Sequence, residues 1–530
     1  MGNSVWWKHG VIYQIYPRSF QDTDGDGVGD LKGINERLDY LSWLGVDAIW
    51  ISPIYPSPMA DFGYDVSDYC DIDPLFGSPD EFGRLVASAH ERGIKIVLDF
   101  VPNHTSDRHP WFLESRASRA NAKRDWYFWR GGKPDGSLPN NWLSQFGGPA
   151  WTMDAQTGQY YLQSFLREQP DLNWRNPEVR SAMYDVLRFW LDRGVDGFRL
   201  DAIWLLIKDA TLRDNPPNPN YRPTEAGINR FLPLHTADQP ETHDVVSEMR
   251  RVLDQYDQRV LIGEIYLPIE RLVIYYGKDL GGAHLPFNFQ LIHTAWTASA
   301  IAKLVTEYEA ALPPGGWPNW VLGNHDQPRI AARVTPARAR VAAMLLLTLR
   351  GTPTMYYGDE LGIGTVTIPR EAMQDPWEKN EPGLGLSRDP SRTPFQWDAT
   401  QNAGFSDGRP WLPLDPAFQC CNVESLRKDP NSILSLYRRL LSIRREYSAL
   451  NSGAFQLVSV QEHVLVYERS ADDERILVYL NFGDTEQPIS GQALSGSAIL
   501  ASTYLDRSGQ LADLVLRPNE GLTILMTEVV

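Results

Sequence analysis

A chain of 530 residues, 42% hydrophobic and 22% charged, has ample apolar surface for a large core and excludes a disordered protein. Its formal net charge of −17 argues against nucleic acid and against anionic membrane surfaces as partners. Its three cysteines, Cys70, Cys420 and Cys421, form a poor disulfide framework and point to a reducing compartment.

Residues 1–11 lack a basic stretch followed by an apolar run, so no signal peptide is expected. The longest apolar runs, such as 342–349, are too short to span a bilayer, and the expectation is a cytoplasmic protein without membrane contact. Aromatic residues make up 11% of the chain and include 18 Trp, which suits sugar binding, although core packing accounts for most of them.

In chain order, short β-branched runs alternate with amphipathic stretches, the rhythm of a parallel sheet with crossover helices. Strands are predicted at 10–17, 46–53, 94–101, 195–201, 260–265, 284–289, 320–323 and 353–357. Helices are predicted at 30–44, 79–92, 177–193, 242–256, 269–276, 295–310, 336–349 and 431–445. The clearest is 177–193, with Asn176 as N-cap, Pro177 at the first position, and Val179, Met183, Val186, Leu187, Trp190 and Leu191 at helical spacing. Eight strands, each followed by a helix and without a Gly-rich phosphate loop after the first, predict a (β/α)₈ barrel.

Three connections leave predicted strand ends and are unusually long: 104–174, 208–240 and 358–430. The first is rich in Trp, Gly, Pro and Asn and reads as a small inserted domain. After residue 450 the pattern becomes short alternating strands, at 455–460, 464–469, 476–480, 498–501, 514–516 and 523–526, a small β-domain. The expected organisation is therefore a catalytic barrel at 1–103 and 175–450, an inserted domain at 104–174, and a C-terminal antiparallel β-sandwich at 451–530.

Acidic groups collect at the predicted strand ends. Asp201 closes Gly197-Phe198-Arg199-Leu200-Asp201, and residues two apart on a strand face the same side, so Arg199 accompanies it. Such a guanidinium keeps a carboxylate ionised and oriented, as a nucleophile requires. Glu264 ends the next strand, and neighbouring strands lie about 4.8 Å apart. That spacing suits the two carboxyl groups, about 5 to 5.5 Å apart, of a retaining glycosidase. Asp326, within Asn324-His325-Asp326, supplies a third acid across the barrel mouth, and His104 and His325 add neutral donors. Each alone fits a helix cap or an ion pair; together at strand ends they do not.

These segments resemble glycoside hydrolase family 13, the α-amylase family, over nearly the whole chain. The motifs are Asp99–His104, Gly197–Asp201, Gly263-Glu264 and Asn324-His325-Asp326, in the family's order. Gln169-Pro170-Asp171-Leu172-Asn173 is similar to the signature of the α-glucosidase and oligo-1,6-glucosidase branch. The resemblance implies Asp201 as nucleophile, Glu264 as acid/base, and Asp326 as the group that binds ring hydroxyls and favours the oxocarbenium-like state. It implies Asp61, Tyr64, His104, Phe165, Arg199, His325 and Arg392 as substrate-binding residues. Asp61 would grip the non-reducing-end hydroxyl, Tyr64 would stack on the sugar, and Arg392 would pair with Asp61 as a lid arginine. Such a clamp favours removal of single glucose units.

Relatives acting on α-1,6 bonds usually carry valine after the nucleophile, so Ala202 leans toward maltose-like α-1,4 substrates. Ile203-Trp204-Leu205-Leu206 departs from common relatives and leaves acceptor choice open. The expected activity is a retaining α-glucosidase with glucosyl transfer to sugar or alcohol acceptors. A trehalose synthase-type isomerase shares the same carboxylates, and a non-catalytic transporter-associated barrel would show a membrane helix and lost carboxylates.

Asp22-Thr23-Asp24-Gly25-Asp26-Gly27-Val28-Gly29-Asp30 places acids at alternate positions around a glycine turn, with the Val28 carbonyl between. Gly33 at the twelfth position rules out an EF-hand. Relatives hold Ca²⁺ or Mg²⁺ in such a loop, so Asp22, Asp24, Asp26, Val28 and Asp30 are the expected ligands of a structural ion. No cofactor is expected for catalysis, and Asn103, near a calcium site in true amylases, is expected to lack that ion in this branch.

Overall fold

In the computed structural model, residues 5–489, 497–510 and 515–526 are described. Eight parallel strands form the central sheet: β1 (Ile12–Ile15), β2 (Ala48–Ile51), β3 (Lys95–Phe100), β4 (Gly197–Leu200), β5 (Val260–Gly263), β6 (Leu285–Pro286), β7 (Asn319–Val321) and β8 (Thr352–Tyr356). Hydrogen bonding runs in the order β7-β8-β1-β2-β3-β4-β5-β6. A parallel bridge between Asn288 and Trp320 joins β6 to β7 and brings the sheet round into a barrel. Nearly every strand residue is buried, as expected where side chains fill the interior and helices cover the outside.

Local chemistry accounts for where elements start and where they depart from the sequence reading. Helix Pro177–Leu191 begins at Asn176, whose side chain accepts the Glu178 N–H, and buries the six apolar residues picked out by spacing. Asp30 is a cap rather than helix: its side chain accepts the Gly33 N–H, and the predicted helix breaks at Arg37 into Leu31–Glu36 and Leu38–Leu44. Strand β6 is two residues long instead of six. Pro286 has no N–H to offer, and pairing across the seam falls to the isolated Asn288 bridge.

Between β3 and helix Pro177–Leu191 the chain forms a small three-stranded antiparallel sheet, Trp129–Arg130, Trp151–Asp154 and Gln159–Leu162, with its own aromatic core around Trp142 and Trp151. C-terminal to helix Ile433–Glu446 a six-stranded antiparallel sheet follows, with a separate pair of strands, Gln487–Pro488 and Val515–Leu516. The predicted strand at 514–516 falls partly outside the described residues. Among the described residues no helix is long and apolar enough to cross a membrane.

Two fully buried arginines gather where this sheet meets the barrel, Arg444 from helix Ile433–Glu446 and Arg469 from the sheet itself. Arg444 donates to the carbonyls of Leu347, Leu349, Gly351 and Leu450, and Arg469 to those of Thr348, Gly453 and Ala454. They serve the open carbonyls at the end of helix Pro336–Thr348, where positive charge complements the helix dipole.

Just past β8, Glu360 is buried beneath the barrel wall and accepts from Tyr13 at 2.6 Å and Tyr40 at 2.9 Å. Burial raises its carboxyl from 4.5 to about 7, against these hydrogen bonds. A carboxyl with a raised folded pKa stabilises the fold below its unfolded value and loses that contribution as pH rises through the folded one. Glu360 should therefore cost up to about 3 kcal/mol of stability between pH 4.5 and 7. Thermal unfolding of E360Q across that range should decline less steeply than that of the parent chain, and parallel slopes would refute the assignment.

Candidate active site

The mouth of the barrel is organised around one side chain. Arg199, fully buried on β4, donates through Nη1 to Asp99 Oδ1 at 2.9 Å and to Asp201 Oδ1 at 2.8 Å, while Nη2 lies 2.9 Å from Glu264 Oε1. Asp99 is on β3, Arg199 on β4, and Glu264 just past β5, so three adjacent strands deliver the cluster. At the opposite end of β4 and β5 the strands approach closely because Gly197 has no side chain: a Cβ at that position would fall 2.4 Å from the Val260 carbonyl oxygen.

Immediately after Asp201 the chain turns. Ala202 takes φ 48° and ψ 37°, a left-handed conformation uncommon outside glycine. The turn directs the Ala202 N–H at Glu264 Oε2, 2.8 Å away. Glu264 is thus held at both oxygens, by the guanidinium and by a strained backbone amide.

The carboxyl groups have different electrostatic surroundings. Burial pushes Glu264 well up; Arg199 opposes this, and the charges of Asp201 and Asp326 add to it. Burial also raises Asp201, with Arg199 and then His104 pulling it back. Asp326 is held below the usual carboxylate range, since His325, Arg388 and Arg392 outweigh its burial. Glu264 is therefore favoured as the protonated form, an acid near Asp326, the one of the three carboxylates whose surroundings keep it ionised.

The sequence-predicted residues converge here. Asp61, Tyr64, His104, Phe165, Asp201, Glu264, His325 and Asp326 all line one cavity of about 240 Å³. Arg199 and Arg392 lie behind its wall. The Tyr64 ring is nearly parallel to that of His325, and its hydroxyl is 2.7 Å from His325 Nε2 and 3.1 Å from Asp99 Oδ2. Burial lowers the pKa of both His104 and His325, which favours the neutral form of each ring.

The lid arginine is a correction. Arg392 does not pair with Asp61: its Nε donates to the His325 carbonyl at 2.9 Å and its Nη2 to Asp326 Oδ1 at 2.8 Å. The residue that meets Asp61 is Arg388, at 2.8 Å, which also contacts Asp375 at 2.8 Å and Asp326 at 3.3 Å and lies over the Phe146 ring. A single tight turn, Asp389–Ser391, separates the two arginines. The guanidinium of Arg392 is committed behind Asp326, whereas that of Arg388 faces the cavity.

Other lining residues escaped the sequence reading: Gln145, Phe146, Tyr266, Gln327 and Trp377, while Trp204, from the 203–206 segment that departs from common relatives, lines the cavity too. Trp204 and Tyr266 meet edge to face at 5.4 Å, and Tyr266 stacks on Phe289 at 4.3 Å, forming an aromatic wall beside Glu264. The signature segment has a structural place too. Gln169 Nε2 donates to Asp61 Oδ2 at 3.2 Å, and Asp171 holds the fully buried Lys208 ammonium at 2.7 Å. Lys208 also donates to Asn103 Oδ1 at 2.7 Å, so a side-chain cation occupies the surroundings of Asn103.

In the acidic loop, carboxylate oxygens of Asp22, Asp24 and Asp30 come within 4.8 Å of one another. Asp26 stands outside this group, and its Oδ1 accepts the Val28 N–H at 2.7 Å. Gly27, at φ 92°, packs where a Cβ would meet the Arg409 carbonyl oxygen, so the loop is pressed against the far end of the lid.

A barrel of this kind, with three acids and a buried arginine at the carboxyl ends of its strands, defines a glycoside hydrolase. Residues 14–453 match the family described as "Alpha amylase, catalytic domain", and the chain belongs to that family. It is 43% identical to a probable α-glucosidase of Rhizobium meliloti, over 90% of each chain. It is 38% identical to an oligo-1,6-glucosidase of Parageobacillus thermoglucosidasius, covering 97% of this chain and 98% of the relative. Among solved structures, an α-glucosyl transfer enzyme superposes with TM-score 0.94 at 40% identity, covering 99% of this chain and 100% of that one.

The two arginines should separate on substitution. R388M leaves Asp61 buried without its partner and should raise KM for a small α-glucoside by at least about tenfold, the cost of an unpaired buried charge. R392M should act mainly on kcat, through Asp326. Steady-state kinetics with one disaccharide would test this, and equal effects of R388M and R392M on KM would count against it.

Proposed function

We propose that this chain is a retaining, exo-acting α-glucosidase that removes terminal glucose from short α-glucosides, with α-1,4 links preferred. The observation that carries the reading is Arg199 bridging Asp201 and Glu264 at the floor of a pocket whose end is closed by the Asp61–Arg388 pair. Retaining enzymes need their two carboxyl groups about 5 to 5.5 Å apart, and sharing one guanidinium keeps a pair on that scale.

In this reading an Asp201 oxygen attacks C1 of the glucose while Glu264 gives its proton to the departing glycosidic oxygen. The C1–O bond breaks and a β-glucosyl ester forms on Asp201. Water then attacks C1, yields its proton to the Glu264 carboxylate, and releases Asp201, leaving α-glucose. A sugar or alcohol hydroxyl in place of water gives transfer, and the likeness to an α-glucosyl transfer enzyme supports that branch. Asp326, ionised between His325 and Arg392, stabilises positive charge developing on the ring. Ala202 lines the pocket beside Glu264, and its short side chain underlies the α-1,4 preference. Three free cysteines support a reducing, cytoplasmic setting.

Time-resolved products from maltose, isomaltose and trehalose, supplied separately, test the activity. Glucose should come chiefly from maltose, appear first as the α-anomer, and be joined by transfer products at high maltose. D201N should abolish turnover, and E264Q should lose about 10²- to 10⁴-fold on maltose but less on an aryl glucoside with a good leaving group. Initial release of β-glucose would exclude retention, and conversion of maltose into trehalose would identify an isomerase.

The acidic loop is proposed as a structural divalent-cation site held by Asp22, Asp24 and Asp30. Its fit rests on three converging carboxylates whose mutual repulsion a cation would relieve. Bound there, Ca²⁺ or Mg²⁺ would stiffen the loop against residues 405–411. Adding Ca²⁺ or Mg²⁺ to chelator-treated protein at 100 times Kd should stabilise it by about 2.7 kcal/mol. The gain should vanish in D24N; an unchanged melting temperature on addition of either ion would rule the site out.

A further inference from the structure

Gln14 is a fully buried polar residue on β1 that the mechanism above leaves unused. Its Nε2 lies 2.8 Å from His325 Nδ1 and 3.2 Å from Ser52 Oγ, whereas its Oε1 has no hydrogen-bond partner among the described residues. A side-chain amide can be turned either way, and the imidazole decides which way is right. His325 Nε2 faces the Tyr64 hydroxyl at 2.7 Å and Asp326 Oδ2 at 3.2 Å. Asp326 is tied to Arg388 and Arg392, so it is ionised and can only accept. Nε2 must therefore carry the hydrogen. In a neutral ring Nδ1 is then a bare lone pair, and only a donor can stand opposite it.

We infer that Gln14 is a positioning residue for the reaction: its amide N–H locks His325 as the neutral Nε2–H tautomer, the form that donates to the Tyr64 hydroxyl on the pocket wall. An imidazolium would set a ring N–H against the amide N–H, so the same contact excludes the charged ring. The lock continues outward. The Tyr64 hydroxyl accepts from His325 and donates to Asp99, which Arg199 couples to Asp201. The unpartnered Gln14 oxygen is the cost of this orientation, since a purely structural glutamine would turn or be replaced to satisfy it.

The charged and titratable groups around His325 come from every element packed against it: Tyr16 on the β1 side, Tyr64 after β2, Arg199 on β4, Asp326 beside it, and Arg388 and Arg392 from the lid. Asp326 alone favours a proton on the ring, and the three arginines oppose it. Gln14 contributes no charge, so it acts by which atom it presents.

The inference rests on the glucosidase reading of the pocket, and its test separates the two. Histidine-selective ¹⁵N NMR of the whole chain, with His325 assigned by the signal missing in H325N, reads the tautomer directly. The wild-type ring should show an unprotonated Nδ1 from pH 5 to 8, while Q14E, which offers an acceptor, should place a proton on Nδ1. On an aryl α-glucoside, Q14E and Q14M should lose at least about tenfold in kcat/KM, in the range of lost histidine-orienting partners. The Q14E loss should deepen as pH falls. Q14M should melt no lower than the wild type, because it also removes the orphaned oxygen. A wild-type Nδ1–H, or folded Q14E and Q14M with wild-type kinetics and pH profile, would overturn the role of Gln14. A wild type that shows the tautomer but cleaves no α-glucoside would overturn the activity and leave the lock standing.

Discussion

Arg199 carries a full positive charge at a site with no access to water, and its three carboxylate neighbours come from three adjacent strands. Desolvating such a cation is costly, and only an excess of close negative charge offsets it. That requirement propagates outward. Asp99 must also satisfy Trp50 Nε1 and the Tyr64 hydroxyl, which brings Tyr64 to His325 and so fixes the far side of the pocket. Excess negative charge in turn makes it unfavourable for every acid to ionise at once, and Asp99, Asp201 and Glu264 are all pushed up. Placement of the catalytic groups and their division into acid and carboxylate are thus one electrostatic arrangement.

Around this rigid floor, the closed end of the pocket is assembled from pieces far apart in sequence. Asp61 follows β2, Phe146 and Gln169 belong to the insertion after β3, and Arg388 comes from the lid after β8. Each loop alone has little reason to hold its shape. Buried ionic contacts tie them: Lys208 joins the insertion to the strand ends through Asp171 and Asn103, and Arg388 joins lid to barrel through Asp61 and Asp326. Breaking either pair would leave an uncompensated buried charge, so the loops are coupled to the barrel more strongly than their irregular backbone suggests.

The floor was legible in the sequence and the walls were not. Barrel strands are short, apolar and followed at once by their functional residues, so Asp201, Glu264 and Asp326 stand out as charges where an apolar run ends. The lid has no such period. Arg388 and Arg392 are equivalent by composition, and only the turn between them decides which reaches Asp61. Trp204 and Tyr266 look like any core aromatics. Gln14 lies inside a strand whose neighbours are all buried, and nothing local tells that its amide is aimed at a histidine 311 residues away. Asp26 shares the alternate spacing of Asp22, Asp24 and Asp30, yet spacing alone does not tell that its carboxylate lies outside the group the other three form.

The junction between barrel and C-terminal sheet bears on how the chain emerges during synthesis. The carbonyls ending helix Pro336–Thr348 are served by Arg444 and Arg469, 97 and 121 residues downstream. A nascent chain that has just completed β8 therefore has helix Pro336–Thr348 open at one end, with polar groups facing an apolar seam. Closure must wait until the first two strands of the C-terminal sheet have left the ribosome. The sheet is then less an appendage than the final segment of a single cooperative fold, and shortening the gene to the barrel would strand the enzyme at its most exposed stage.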